Sequence, residues 1–309
     1  MERASSAALE VVEPGLLLTV QDRGRPGFEH LGVPRAGAAD GRSLDAANRV
    51  VGNDPDAAAL EATLLGPRLR AVRSVTIAIA GADLGPRLQP GARSITRGRP
   101  IELMAGDEIE LGEAGDPDRG CRAYLAIAGG IDVPVVLGSR STSLVGGFGG
   151  FEGRPLRTGD GVAAFHTAIP AALAVDEDRS ADDDRSAPWR RPVVVLRGPA
   201  ASEPGGEARF RTLIETAWTV SNNSDRRGLR LEADLDLAGL ALSGDRPSGG
   251  VVPGAIQLTP SGEPLVLMPD GGVTGGYAVI ALVATLDLPT LGQLTPGATL
   301  RFDAGNPGG

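Results

Sequence analysis

Lysine is absent from this chain; all 30 basic residues are arginine. That excludes a Schiff-base lysine, a phosphate-loop lysine and a biotinyl-lysine on the chain itself. Aromatic residues amount to 3%, so cores have to be packed from Val, Leu, Ile and Ala. The single cysteine, Cys121, allows no intrachain disulfide, and its place before the strand-like run RAYLAIA suits a small core residue rather than a nucleophile. That usage fits a reducing compartment. Histidine occurs twice, as His30 and His166. No set of His, Cys and acids falls at metal-ligand spacing, so no metal is expected. No apolar run approaches the roughly 20 residues of a membrane span. The start of the chain lacks a basic segment followed by an apolar one. A cytoplasmic protein without membrane contact is the expectation, and a net charge of −9 argues against nucleic acid as a partner.

What the chain has in quantity is glycine, 45 residues, and proline, 24. In a chain of 309 residues that load points to two domains of short strands and tight turns rather than helical bundles. The fold class read from the sequence is mainly β with a few short helices. Strand patterns occur at Leu9–Val12, Leu16–Val20, Leu60–Leu64, Arg68–Ala71, Ser74–Ala80 and Arg122–Ala128. Pro100–Met104 and Glu108–Leu111 flank Gly106-Asp107 and read as a hairpin. The clearest helix follows Asp40, a capping residue, with Leu44, Ala47, Val50 and Val51 as its apolar stripe and Gly52-Asn53 as its stop. Residues 1–165 form one predicted module and residues 193–309 a second. Between them, 166–192 carries an acidic run without a large apolar face and reads as a solvated linker. In the second module strands are predicted at Val193–Leu196, Ala217–Val220, Leu229–Glu232, Ala255–Leu258, Pro264–Met268, Val279–Val283 and Ala298–Phe302, with short helices at Glu207–Thr216 and after Asp287.

Four loops are rich in groups that can bind. Thr19–Asp40 mixes glycine, proline, arginine and acids with His30, the one histidine in such a setting and a group able to act as a base near neutral pH. Gly138–Thr142 gathers hydroxyls, backbone donors and Arg140, which can hold a planar anion or can equally be a self-bonded turn. In Asn222–Gly228, Asp225 and Arg226 can orient each other or a ligand. Thr274–Tyr277 is a glycine-lined approach loop. No nucleotide-binding fingerprint and no nucleophile elbow occur.

These loops and their neighbours fall in the order of a known family. PGLLLTVQDRGRPGFEHLGVPRAGAAD (Pro14–Asp40), AANRVVGN (Ala46–Asn53), LEATLLGP (Leu60–Pro67), GADLG (Gly81–Gly85), RAYLAIAGGIDVPVVLGSRST (Arg122–Thr142), SDRRGLRLEA (Ser224–Ala233), PGAIQLTPSGEP (Pro253–Pro264) and TGGY (Thr274–Tyr277) carry the likeness. The chain resembles the KipA family, also described as allophanate hydrolase subunit 2 and as the C-type subunit of 5-oxoprolinase. It is similar as well to part of the carboxyltransferase region of urea carboxylase (urea amidolyase).

The resemblance implies β-barrel modules of cyclophilin-like type. It also implies membership of a multi-subunit, ATP-dependent 5-oxoprolinase that opens 5-oxo-L-proline to L-glutamate, with the KipI-like B-type and the A-type subunits of that enzyme as partners. ATP would then be used by the complex at a site not locatable on this chain. Two alternatives come with the same likeness: a non-catalytic, KipA-type regulatory partner of a KipI-like kinase inhibitor, and the carboxyltransferase component of a biotin-dependent urea-carboxylase-like enzyme. Carried onto this sequence, Asp22, His30 and Asp40 become the catalytic candidates. The substrate-binding candidates are Gln21, Arg23, Arg25, Arg140, Ser141, Thr142, Asp225, Arg226, Thr274 and Tyr277, together forming a composite site. The sequence departs from the family at Gly271–Val279, GGVTGGYAV, where an Arg-Gln-Thr-Thr-Gly-Gly-Tyr-Pro-Lys-like run is more usual, and at Ala39, where methionine is usual. The first departure puts substrate identity in question.

Overall fold

A computed structural model of the chain describes residues 5–114, 119–166, 191–241 and 246–305. The predicted acidic linker at 166–192 lies almost wholly outside the described residues. By contacts the chain divides into two units: one of residues 1–25 and 36–187, the other of residues 26–35 and 188–309.

The first unit is built on two sheets. One runs in the order Gly161–Phe165, Ser5–Glu13, Arg68–Ala71, Glu108–Glu110, Arg87–Gln89, Arg93–Ser94. The other runs Leu17–Gln21, Ala59–Thr63, Arg122–Ile127, Val75–Gly81, Ile101–Leu103. Period-2 alternation sorts the faces. In Val75–Gly81 the large residues Val75, Ile77 and Ile79 enter the main core with Leu9, Leu18, Leu60, Leu69, Ile109 and Leu125. The intervening Ala78 and Ala80 face the other way and meet α1 (Gly41–Val50) through Leu44, Ala47 and Val51. Small residues on that face let the helix lie close to the strands. Asp40 caps α1 as the sequence predicts, its Oδ1 accepting from the Arg42 amide at 3.0 Å and the Ser43 amide at 3.1 Å.

The predicted hairpin around Gly106-Asp107 does not form. Ile101–Leu103 pairs with Val75–Gly81 in one sheet, and Glu108–Glu110 pairs with Arg68–Ala71 in the other. The turn itself is real: Gly106 has φ +94° and the Asp107 amide donates to the Met104 carbonyl at 3.0 Å. It passes the chain from sheet to sheet rather than folding it back on itself. Local turn chemistry is the same in both cases.

The second unit holds an eight-stranded sheet in the order Thr299–Leu300, Trp218–Val220, Gly228–Glu232, Pro264–Leu267, Ala255–Leu258, Ala278–Val283, Val193–Arg197, Phe302–Ala304. Its two edge strands are separated in sequence by Arg301 alone. One pairs antiparallel with Trp218–Val220 and the other parallel with Val193–Arg197, so the sheet nearly closes into a barrel. Leu229, Leu231, Val266, Ile256 and Ile280 are fully or almost fully buried. α2 (Gly206–Glu215) buries Phe210 and Leu213, and Trp218 donates from Nε1 to the Leu213 carbonyl at 2.8 Å. Gly249–Gly250 and Thr274–Gly275 form a separate two-stranded ribbon. The chain is mainly β, as its composition predicts. Among the described residues no helix is long and apolar enough to cross a membrane.

Candidate functional site

Five of the candidates, Gln21, Asp22, Arg25, Ser141 and Thr142, are gathered by the structure in the first unit, but around one another. Asp22, 8% exposed, turns its carboxylate on the loop 139–141. Its Oδ1 accepts from the Gly24 amide at 2.8 Å, the Ser139 hydroxyl at 2.6 Å and the Ser141 hydroxyl, and its Oδ2 accepts from the Arg140 amide at 2.5 Å. The Ser141 hydroxyl accepts in turn from the Asp22 amide at 3.0 Å. Arg25, 1% exposed, lies with its guanidinium 5.0 Å from the Phe148 ring centroid and donates to the Ser141 carbonyl at 2.5 Å. Gly149 permits this contact, because a Cβ there would stand 2.3 Å from the Ser141 carbonyl oxygen and 2.8 Å from the Arg25 Nη2. Thr142 donates from its hydroxyl to the Val20 carbonyl at 3.1 Å, and Gln21 donates from Nε2 to the Thr19 hydroxyl at 3.1 Å. The hydrogen bonds named here all end on the protein, so this cluster is a clamp that ties residues 20–25 to residues 139–142; the Gln21 Oε1 is buried in it without a hydrogen-bond partner among the described residues.

Asp40 belongs to a second buried network. Besides capping α1, it places its amide on the Tyr124 hydroxyl at 2.8 Å, and that hydroxyl donates to Glu61 at 2.7 Å. Arg122 stands 3.5 Å from the same Glu61 carboxylate. Burial pushes the Tyr124 phenol well above its usual range, with the neighbouring Glu61 charge acting in the same direction. Cys121 is buried, and burial pushes its thiol up as well, which removes the thiolate a nucleophile needs. His30 sits on a single exposed turn, Glu29–Leu31, in the second unit by contacts. Arg23 pairs with Asp45 at 2.6 Å and Asp56 at 2.9 Å. Arg140 directs its Nε to the Val133 carbonyl at 3.1 Å, lies 5.6 Å from the Phe165 ring centroid, and borders a cleft of about 560 Å³ with Asn53, Asp54 and Asp56.

In the second unit the structure corrects the pairing expected of Asp225 and Arg226. Arg226 and Asp270, 3% and 2% exposed, form a two-pronged ion pair at 2.9 and 3.2 Å. Asp225 is exposed, and its Oδ1 accepts from the Arg227 amide at 2.7 Å and the Gly228 amide at 3.2 Å, which closes the turn. An aspartate whose acceptor oxygen is already used by its own turn is poorly placed to orient the side chain beside it.

Beside that turn a pocket of about 540 Å³ opens on the outer face of the sheet. Arg227, Arg230, Gln257, Leu265, Thr274 and Tyr277 line it. The strand registers explain the lining. Arg230 stands opposite Leu265, Leu265 opposite Gln257, and Gln257 opposite Val279, so these four form one row across four strands. Leu229 and Leu231 point the other way, into the barrel. A small apolar cluster of Val251, Ala255 and Leu267, with Leu265 and Val279 against it, lies on the outer face. The ribbon of Thr274–Gly275 rests over Gln257, where a Cβ at Gly275 would come within 2.8 Å of the Gln257 Nε2. Among the described residues the guanidinium groups of Arg227 and Arg230 and the hydroxyls of Thr274 and Tyr277 have no hydrogen-bond or ion-pair partner. Of these lining residues, Thr274 and Tyr277 are named among the candidates from sequence and Arg227 and Arg230 are not, although the alternation in GLRLE already places Arg230 on the face opposite to two buried leucines.

Comparison with known proteins fits this architecture. The carboxyltransferase domain family, subdomain A and B, matches residues 31–304, and the chain belongs to that family. It is 36% identical to the C-type subunit of 5-oxoprolinase from Escherichia coli over 95% of this chain and 90% of that protein. It is also 35% identical to urea amidolyase of Lachancea kluyveri, over 96% of this chain and 17% of the much longer relative. Among solved structures, that of TTHA0988 superposes with a TM-score of 0.82 at 35% identity, covering 96% of this chain and 55% of that one.

Proposed function

We propose that this chain is the C-type subunit of a multi-subunit enzyme that opens 5-oxo-L-proline to L-glutamate with ATP hydrolysis. The observation that carries this reading is the match to the E. coli 5-oxoprolinase protein, which runs through nearly all of both chains. The KipI-like B-type and the A-type subunits are its proposed partners. ATP supplies the driving force for cleaving an unstrained amide. On this reading the chain binds the lactam acid and holds it for attack, a task that needs preorganised donors rather than a nucleophile. With no lysine and a buried Cys121, the available donors include arginines, side-chain amides such as Gln257, hydroxyls and backbone amides.

The test is reconstitution. The full chain, combined with A-type and B-type subunits from the same organism, is expected to show ATP hydrolysis that depends on 5-oxo-L-proline and stops when this chain is left out. ATP turnover indifferent to the lactam, or to this chain, overturns the reading. A second reading, the carboxyltransferase part of a biotin-dependent urea-carboxylase-like enzyme, is favoured by the nearly equal identity to urea amidolyase. It requires a biotinylated partner, since this chain has no lysine to carry biotin. A streptavidin-reactive band in the purified complex, with urea-dependent ATP use, would select it.

A further inference from the structure

We infer that the pocket on the outer face of the eight-stranded sheet holds the carboxylate of a small lactam acid, with Arg227 and Arg230 as the anion contacts that determine specificity. The identity of the ligand rests on the function proposed above; the charge of the ligand rests on the pocket alone.

Three features lead there. The first is that these arginines lack partners. Arg25 and Arg226 are each buried and directed at carbonyls or a carboxylate, and Arg23 is held by two aspartates. Arg227 and Arg230 have no such partner among the described residues, yet both border the same pocket. Side-chain positions beside a cavity that leave two cations unneutralised favour an anion from solution. The second is the local balance of charge. The chain carries a net charge of −9 and repels anions at long range, so an anion site needs cations at close quarters. Asp225 also borders the pocket, but its Oδ1 is engaged by two backbone amides, so two guanidinium groups stand there against one carboxylate that is already held by its own turn.

The third is the remainder of the lining. Leu265, Leu267 and Val251 give an apolar floor for ring methylenes, and Thr274 and Tyr277 offer free hydroxyls to an amide. Gly271 and Gly272 line the pocket without side chains. A Cβ at Gly271 would lie 2.9 Å from the Arg227 carbonyl oxygen, so the present path of the loop requires glycine there. The volume, about 540 Å³, is in the range of small-molecule sites and exceeds what one lactam fills. The pocket therefore admits the ring together with water or a second group.

The experiment is calorimetric titration of the full chain with 5-oxo-L-proline, with 2-pyrrolidinone (the same ring without the carboxylate) and with glutarate (a carboxylate without the ring). Wild type is expected to bind 5-oxo-L-proline and not 2-pyrrolidinone over the same concentrations. Arg227→Gln and Arg230→Gln are each expected to weaken binding at least about tenfold, and Arg230→Lys, which keeps the charge, to recover part of the loss. Unchanged affinity in both glutamine variants, equal binding of 2-pyrrolidinone, or no binding of either acid to wild type overturns the inference. If the glutamine variants leave 5-oxo-L-proline affinity intact, the pocket assignment fails while the lactam reading stands. If glutarate binds in an arginine-dependent way and 5-oxo-L-proline does not, the anion site stands and the lactam reading fails.

Discussion

Residues 19–25 with 139–142, in the first unit, and residues 223–230 with 271–277, in the second, have almost the same chemical content. Each offers glycine, arginine, aspartate and hydroxyls. In the first, the groups answer one another: Asp22 accepts from four donors and Arg25 lies buried on a carbonyl and a phenyl ring. In the second, one ion pair is buried, between Arg226 and Asp270, and two guanidinium groups remain open toward a cavity. Polar density marks both regions in the sequence. What separates a clamp from a binding surface is whether the polar groups already have partners.

The contrast can be broken by substitution. The largest effect on stability is expected from Arg226→Ala, because removing one member of a buried ion pair strands the other charge, at a cost of about 3–5 kcal/mol. Chemical denaturation should show that loss; a change under about 1 kcal/mol would mean that Asp270 finds water or another donor. Asp22→Ala comes next. It leaves four donors without their acceptor, the Ser139 and Ser141 hydroxyls and the Gly24 and Arg140 amides. The amides are only part-buried and the hydroxyls can rotate to other acceptors, so the net cost is about 1–3 kcal/mol, and loosening of residues 139–142 should appear as faster amide exchange there. Retained protection would show that the clamp is redundant.

Tyr124→Phe is expected to cost about 1–3 kcal/mol near neutral pH, since the Asp40 amide and Glu61 both lose the hydroxyl. Its pH dependence is a sharper sign. The folded phenol ionises above the unfolded one, so its stabilisation is complete below the unfolded value of about 10. It is lost as the pH climbs through the folded value. The variant should therefore lose stability less steeply in alkali than wild type; parallel curves would show that Tyr124 does not couple to alkaline unfolding.

Much of the fold was legible because period-2 alternation and capping chemistry are local. The helix after Asp40, the alternating faces of Val75–Gly81 and the short helix at Gly206–Glu215 all follow from residues a few positions apart. The Gly106-Asp107 turn was misread because its residues do not record which strand lies beside which. Closure of the second sheet through Thr299–Leu300 and Phe302–Ala304 is hidden for the same reason. The site was legible as a set of loops but not as partners. The contact of Asp22 with Ser139 spans 117 residues and that of Arg226 with Asp270 spans 44. Within SDRRGLR, three arginines look alike; strand register and a distant aspartate bury the first and leave the others open.

The most direct test of that distinction is the turnover of the reconstituted complex carrying Arg230→Gln, measured beside the melting temperature of the same chain. The expected result is a fall in kcat/KM for 5-oxo-L-proline of at least about tenfold with a melting temperature within about 2 °C of wild type. Full activity, or a loss of activity accompanied by a large fall in melting temperature, would contradict the assignment of Arg230 to a ligand rather than to the fold.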